Sequence, residues 1–495
     1  MQIQTPEWVK QAVFYQIFPD RFARNTSRPT LKGIQFKEWG SPPEEQGFQG
    51  GDLYGVAEKL DYLQKLGITA IYLNPIFSSA ANHRYHTYDY FQVDPLLGGD
   101  QALRVLLNEA HKRSIRIVLD GVFNHCGRGF WAFHHLLENG SASPYANWFT
   151  VYDYPLRPYL DTGILRSGKA RPNYACWWGI PALPKFNIAN SGVRDYLLQV
   201  ARHWLEFGID GWRLDVPAEI QDDSFWREFR QVVKTANPEA YIVGEVWHPA
   251  QHYLQGDMFD GVMNYIITGP ILSFFGAGSL NQSWHHSEVQ LYPMDGLEFA
   301  EKIEQMLSLY DWQIHFTQLN MLDSHDMPRA LWLLGGDKNA LRLSVLCQMT
   351  MPGAPCVYYG DEVGLSAGGD PHCREAFPWH QSGRWDQNLL AFYQSAIALR
   401  KAHPALQTGD YRLVYAAGRS VAYLRSLAEQ SALVAFNAGM GPAQIDLPFD
   451  ELQIRPAVNF SSVWPPGLES SYQMRGNSLH MELAPQSALV LVAGT

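Results

Sequence analysis

A chain of 495 residues with 38 Lys and Arg, 49 Asp and Glu and a formal net charge of −11 carries no basic run of the kind that would grip nucleic acid or an anionic membrane. Its length exceeds one hydrophobic core, so two or three structural units are expected. No stretch of 18 apolar residues, no leader-like N-terminus and five scattered cysteines (126, 176, 347, 356 and 373) point to a soluble, cytoplasmic protein.

In chain order, short apolar runs alternate with helical periodicity. Strands are expected at Ala12 to Phe18, Ile68 to Asn74 and Ile115 to Asp120, with helices at Gly55 to Leu66 and Ala102 to Lys112 between them. From Cys126 to Asn187 the periodicity gives way to Trp, Tyr, Pro and Gly, a length that reads as an inserted subdomain. Alternation resumes with a helix from Val193 to Phe207 and strands at Ile209 to Leu214 and Ala240 to Glu245, separated by a helix from Phe225 to Thr235. Strands at Gly261 to Tyr265, Phe316 to Met321 and Ala354 to Tyr359 complete eight. Eight βα units predict an α/β fold, a (β/α)8 TIM barrel. A helix from Asn388 to His403 closes it, and alternating segments beyond predict a C-terminal all-β sandwich. The expected domains are the barrel at 1–125 and 188–410, the insert at 126–187 and the sandwich at 411–495.

Barrel enzymes carry their chemistry at the C-terminal ends of the strands, and four expected strands run into acids there: Asp120, Asp215, Glu245, and Asp323 with Asp326. Arg213 and Asp215, two apart on one strand, share a face, so the guanidinium can orient the carboxylate and keep it ionised. Crowded carboxyls divide into a proton donor and an attacking base, the pair that glycosidic bond cleavage requires. His125 and His325 supply uncharged partners for hydroxyl groups. No HExxH, CxxC or phosphate-binding glycine loop is present, and His134, His135 and Glu138 lie on a helix-like stretch that suits surface packing.

DGVFNH (120–125), GWRLDVPAE (211–219), GEVWH (244–248) and LDSHD (322–326), in this order, resemble the four signature regions of the α-amylase family of glycoside hydrolases. VFYQIFPDRF (13–22), GGDL (50–53), NHRYHTYDY (82–90), LPKFN (183–187) and PGAPCVYYGDEVGL (352–365) extend the resemblance to about residue 410, most closely toward cyclomaltodextrinases, neopullulanases and maltogenic amylases. The resemblance implies Asp215 as nucleophile, Glu245 as general acid/base and Asp326 as the third carboxylate, with Arg213 orienting Asp215. It further implies substrate contacts by Tyr85, His83, His125, His325, Asp370, Arg374, Trp247 and Lys185, with Asp120 in support. The implied reaction is retaining cleavage of α-1,4 or α-1,6 glucosidic bonds in maltooligosaccharides, cyclodextrins, pullulan or branched α-glucans, with no organic cofactor. The alternatives are transglycosylation or isomerisation on the same intermediate, and a non-catalytic amylase-like binding subunit.

Three departures from the pattern accompany this. Relatives commonly carry a further β-domain that builds a homodimer and narrows the cleft, whereas the first strand here is expected near residue 12; a homodimer stays among the implied partners. The family's VANE becomes Val216-Pro217-Ala218-Glu219. The calcium loop expected after the first strand reads ARNTSRPT (23–30) and keeps only Gly51 and Asp52, Asn124 suits either the other calcium site of α-amylases or the orienting of a loop, and no metal is expected to be required.

Overall fold

The computed structural model describes residues 3–27, 33–44, 46–159, 171–428, 430–449, 460–464 and 471–494. Eight parallel strands close on themselves: Phe14–Ile17, Ala70–Leu73, Arg116–Gly121, Gly211–Leu214, Tyr241–Gly244, Gly261–Asn264, Leu319–Met321 and Ala354–Tyr358, each paired with its sequence neighbour and the last with the first. All eight expected strands form, seven trimmed at their ends and the third shifted by one residue, from 115–120 to Arg116–Gly121. Their side chains are buried almost throughout, as a parallel sheet covered by helices requires.

The helices cover the barrel through apolar stripes. In Ser191–Phe207, Asn190 caps the N-terminus with its side-chain oxygen, and Gly208 ends the last turn at φ 115°. The expected helix from Gly55 to Leu66 forms as two, Leu53–Glu58 and Leu60–Leu66, because Lys59 leaves helical geometry at φ −100°, ψ 5°. A hairpin of Phe77–Ser79 and Thr87–Val93 lies between the second and third barrel strands. It escapes the sequence reading because its first strand is only three residues long.

The segment between the third and fourth strands leaves and returns side by side. His125 bridges Lys185 antiparallel, and Phe149–Phe186, Val151–Tyr174 and Cys176–Pro184 add rungs. Its interior is aromatic: Phe133 meets Phe149 and Tyr174, and Phe130 meets Phe186. His134 and Glu138 are solvent-facing on the helix Trp131–Asn139, while His135 bonds Ser143.

From Asp410 onward the described residues are mostly β. A five-stranded antiparallel sheet (Asp410–Ala417, Ser420–Leu427, Gln430–Asn437, Ser487–Gly494, Phe460–Trp464) accompanies a three-stranded one (Ala443–Pro448, Ser478–Leu483, Ser471–Arg475). The two-residue period splits the central strands. Ala422, Leu424, Leu433 and Leu489 join Ile445, Leu447 and Met481 in a separate core, while Val421, Tyr423, Val434 and Phe436 join the barrel's core. Two buried arginines fasten this joint, Arg400 and Arg425, both donating to the Leu406 carbonyl.

Candidate active site

The barrel register sets the site. Asp120 and Arg213 are opposite each other on the third and fourth strands, and Leu214 opposes Gly244 on the fifth. Beyond these rungs Asp215 donates its backbone N–H to Gly121 and Glu245 donates its own to Leu214, so the two acids emerge from adjacent strand ends.

Arg213 is fully buried and is shared among three of these acids. Its Nη1 lies 2.9 Å from both oxygens of Asp120 and 3.2 Å from Oδ1 of Asp215. Its Nη2 lies 2.9 Å from Oε2 of Glu245, an ion pair without hydrogen-bond alignment. Glu245 also accepts the Val216 amide at Oε2 (3.0 Å) and the Trp247 indole N–H at Oε1 (3.0 Å). Val216 makes its contact from φ 37°, ψ 50°, a left-handed geometry that a β-branched residue adopts only under constraint.

Arg213 faces three of the rim carboxyls and Arg374 pairs with the fourth, Asp326. Burial pushes Asp215 well above the usual carboxylate range, and Glu245, Asp120 and Asp326 also move upward, Asp120 to about 6. Arg213 pulls all four back down. Beside Asp215, the Arg213 guanidinium favours the ionised carboxylate and opposes the rise caused by burial. Burial outweighs these cations, so the carboxyls retain protons to higher pH than isolated ones do.

The histidines are neutral through burial, which lowers His125 to about 3 and His83 and His325 well below their ordinary value. Gln16 donates to Nδ1 of His325 (2.8 Å), leaving the ring proton on Nε2, which faces the Tyr85 hydroxyl at 2.6 Å. That hydroxyl in turn donates to Asp120 over 2.9 Å. Tyr85 and His325 stack 8° from parallel, and the His83 ring lies 5.8 Å from Tyr85. The Nε2 of His125 is buried without a hydrogen-bond partner among the described residues.

Asp326, its side chain about a third exposed at 31%, pairs with Arg374 Nη2 at 3.3 Å, and Arg374 Nη1 holds Asp370 at 2.9 Å. Lys185 reaches across to Glu219 at 2.9 Å, which ties the insert to the turn after Asp215. The structure thus gathers Asp120, Arg213, Asp215, Glu245, Tyr85, His325, Asp326 and Arg374 at one end of the barrel. Trp247 serves Glu245 directly, and the ammonium of Lys185 is engaged by Glu219.

Sequence reasoning missed Gln16, Tyr72 and Asn74. Tyr72 donates to Asp120 (2.6 Å), and Asn74 donates to Tyr85 (3.0 Å). Their signal was polar residues inside otherwise apolar strand ends. Of the residues left from a calcium pattern, Asp52 accepts the amides of Gly55 and Asn25, and Asn124 lies beside His125 and the Lys185 segment. Residues 28–30 of the expected loop lie outside the described ones.

A closed parallel barrel with buried, arginine-linked carboxyls at its C-terminal rim defines an acid/base enzyme of the barrel class. The model of the α-amylase catalytic domain matches residues 16–383, and the chain belongs to that family of glycosidases. It is 42% identical over 451 residues to a cyclomaltodextrinase of Geobacillus thermopakistaniensis, covering 90% of this chain and 72% of that protein. Among solved structures it is similar to Ttha1563 of Thermus thermophilus (TM-score 0.91, 45% identity, 99% of this chain and 100% of that one). It is also similar to the native debranching enzyme of Nostoc punctiforme (TM-score 0.89, 46% identity, all of both chains).

Proposed function

We propose that the protein hydrolyses α-glucosidic bonds, α-1,4 and α-1,6, in short maltooligosaccharides, cyclodextrins, pullulan or branched α-glucans, with retention at the anomeric carbon. The observation that carries this is the Arg213 guanidinium, whose two terminal nitrogens contact Asp215 and Glu245. A shared guanidinium keeps the two carboxyls near one another, which supports the close pairing that a retaining enzyme uses.

Asp215 attacks C1 while protonated Glu245 gives its proton to the glycosidic oxygen. The bond to the leaving sugar breaks, and an ester joins Asp215 to the glycosyl group. Glu245, now ionised, takes a proton from water, whose oxygen attacks C1 and releases Asp215. Asp326, His125 and His325 hold the hydroxyls of the reacting ring and Tyr85 stacks on it, with His83 behind. Asp370 and Arg374 contact the next sugar on the non-reducing side, and Trp247 and Lys185 border the leaving-group side. No metal or organic cofactor takes part. The five free cysteines support a reducing, cytoplasmic setting.

The test is product analysis on pullulan and maltotriose with the anomers followed by NMR. Panose signals α-1,4 cleavage and maltotriose α-1,6 cleavage, and the first-formed products carry the α configuration. Products longer than maltotriose dominating over glucose and maltose, or β-anomers appearing first, contradict the proposal.

A further inference from the structure

The donor contact to Glu245 Oε1 comes from an indole that is itself sandwiched. Trp247 stacks on Tyr265 at 3.6 Å and 9°, and on its other side His286 approaches at 4.5 Å and 34°. Trp284 lies parallel to His286 at 5.8 Å. These rings come from three segments: the loop after the fifth strand, the first residue of the helix Tyr265–Phe275, and the loop between that helix and the helix Gly296–Leu307. The His286 ring is fixed in turn, because its Nδ1 accepts the backbone N–H of Glu288 at 3.2 Å. Trp247 is only half-buried, so without a cover its ring is free to turn about χ1 and χ2.

We propose that His286 is a positioning residue for the proton donor Glu245: it clamps Trp247 against Tyr265 so that the indole N–H stays aimed at Oε1. This rests on Glu245 being the general acid/base. The loop thereby controls an acid it does not touch. A hydrogen bond donated to a carboxylate favours the ionised form, so a misaligned indole raises the proton affinity of Glu245. The alkaline limb of kcat/KM, where the free enzyme loses that proton, then moves to higher pH. Because the aromatic face does the clamping, a phenyl ring serves as well as an imidazole.

The experiment is maltotriose hydrolysis by the full-length protein across pH, comparing His286→Ala, His286→Phe, Trp247→Phe and Glu245→Gln, with thermal unfolding as a check on folding. Trp247→Phe is expected to move the alkaline limb up by about one pH unit and lower kcat about tenfold. His286→Ala is expected to do the same to about half that extent, with KM within about twofold, while His286→Phe restores the wild-type limb and kcat. If His286→Ala does not fold, His286→Gln, which lacks the aromatic face, takes its place. Wild-type kcat and limb in His286→Ala, or a raised KM alone, overturn the proposal. Activity retained by Glu245→Gln would instead overturn the assignment of Glu245.

Discussion

The Nη2 of Arg213 lies 2.9 Å from Oε2 of Glu245, while Nη1 of the same guanidinium binds Asp120 and Asp215. A single buried cation therefore links the three carboxyls and offsets part of their charge. Arg213→Ala leaves the acids without a counter-charge, and breaking a buried pair in this way costs about 3–5 kcal/mol. Arg213→Lys cannot reach three carboxyls at once with one ammonium. Both variants are expected to lose nearly all activity, and calorimetry should find Arg213→Ala the less stable.

The same rim holds strain. Val216 combines a β-branched side chain, a left-handed backbone and a following proline, and each disfavours the conformation it adopts. Left-handed geometry costs a non-glycine residue about 1–2 kcal/mol. Val216→Gly is expected to raise stability by about 1 kcal/mol in urea titration, less what the half-buried valine contributes by packing. A clear loss of stability would show that Val216 is unstrained.

Just after the eighth strand, Glu362 accepts hydroxyls from Tyr15 (2.8 Å) and Tyr62 (2.6 Å) and the amide of Gly360 (2.9 Å). Burial pushes it from 4.5 to about 7, and Asp361 adds to the rise. The folded protein then holds this proton longer than the unfolded chain, so the group costs nothing below about 4.5 and increasingly destabilises as pH rises to about 7. At about 1.4 kcal/mol per pH unit this amounts to about 3 kcal/mol. Glu362→Gln should remove that component. Its urea midpoint should fall less than the wild type's between pH 5 and 7.5, and parallel curves would contradict the assignment.

The barrel was legible because its strands are short apolar runs between well-marked helices, and strand ends such as Asp215 and Glu245 carry their acids one residue past the last rung. The Asp120–Arg213 pairing was not, since it depends on the register between two strands whose sequence separation is set by the long insert. Trp247 read as a sugar contact from its motif, yet its indole is turned to Glu245 by rings that come from distant segments. The same holds for Lys185, whose partner Glu219 lies 34 residues on. Local pattern reveals which residues reach the rim; which of them meet is decided by stagger and by loops without periodicity.

The most direct test of the central claim is to trap the glycosyl–enzyme intermediate. Incubation with a fluorinated α-glucosyl fluoride slows the second step, and peptide mass spectrometry then locates the attached sugar. The account predicts one hexosyl adduct, on the peptide carrying Asp215 and lost in Asp215→Asn. An adduct on Glu245 or Asp326, or inverted product formed with no adduct at all, would contradict it.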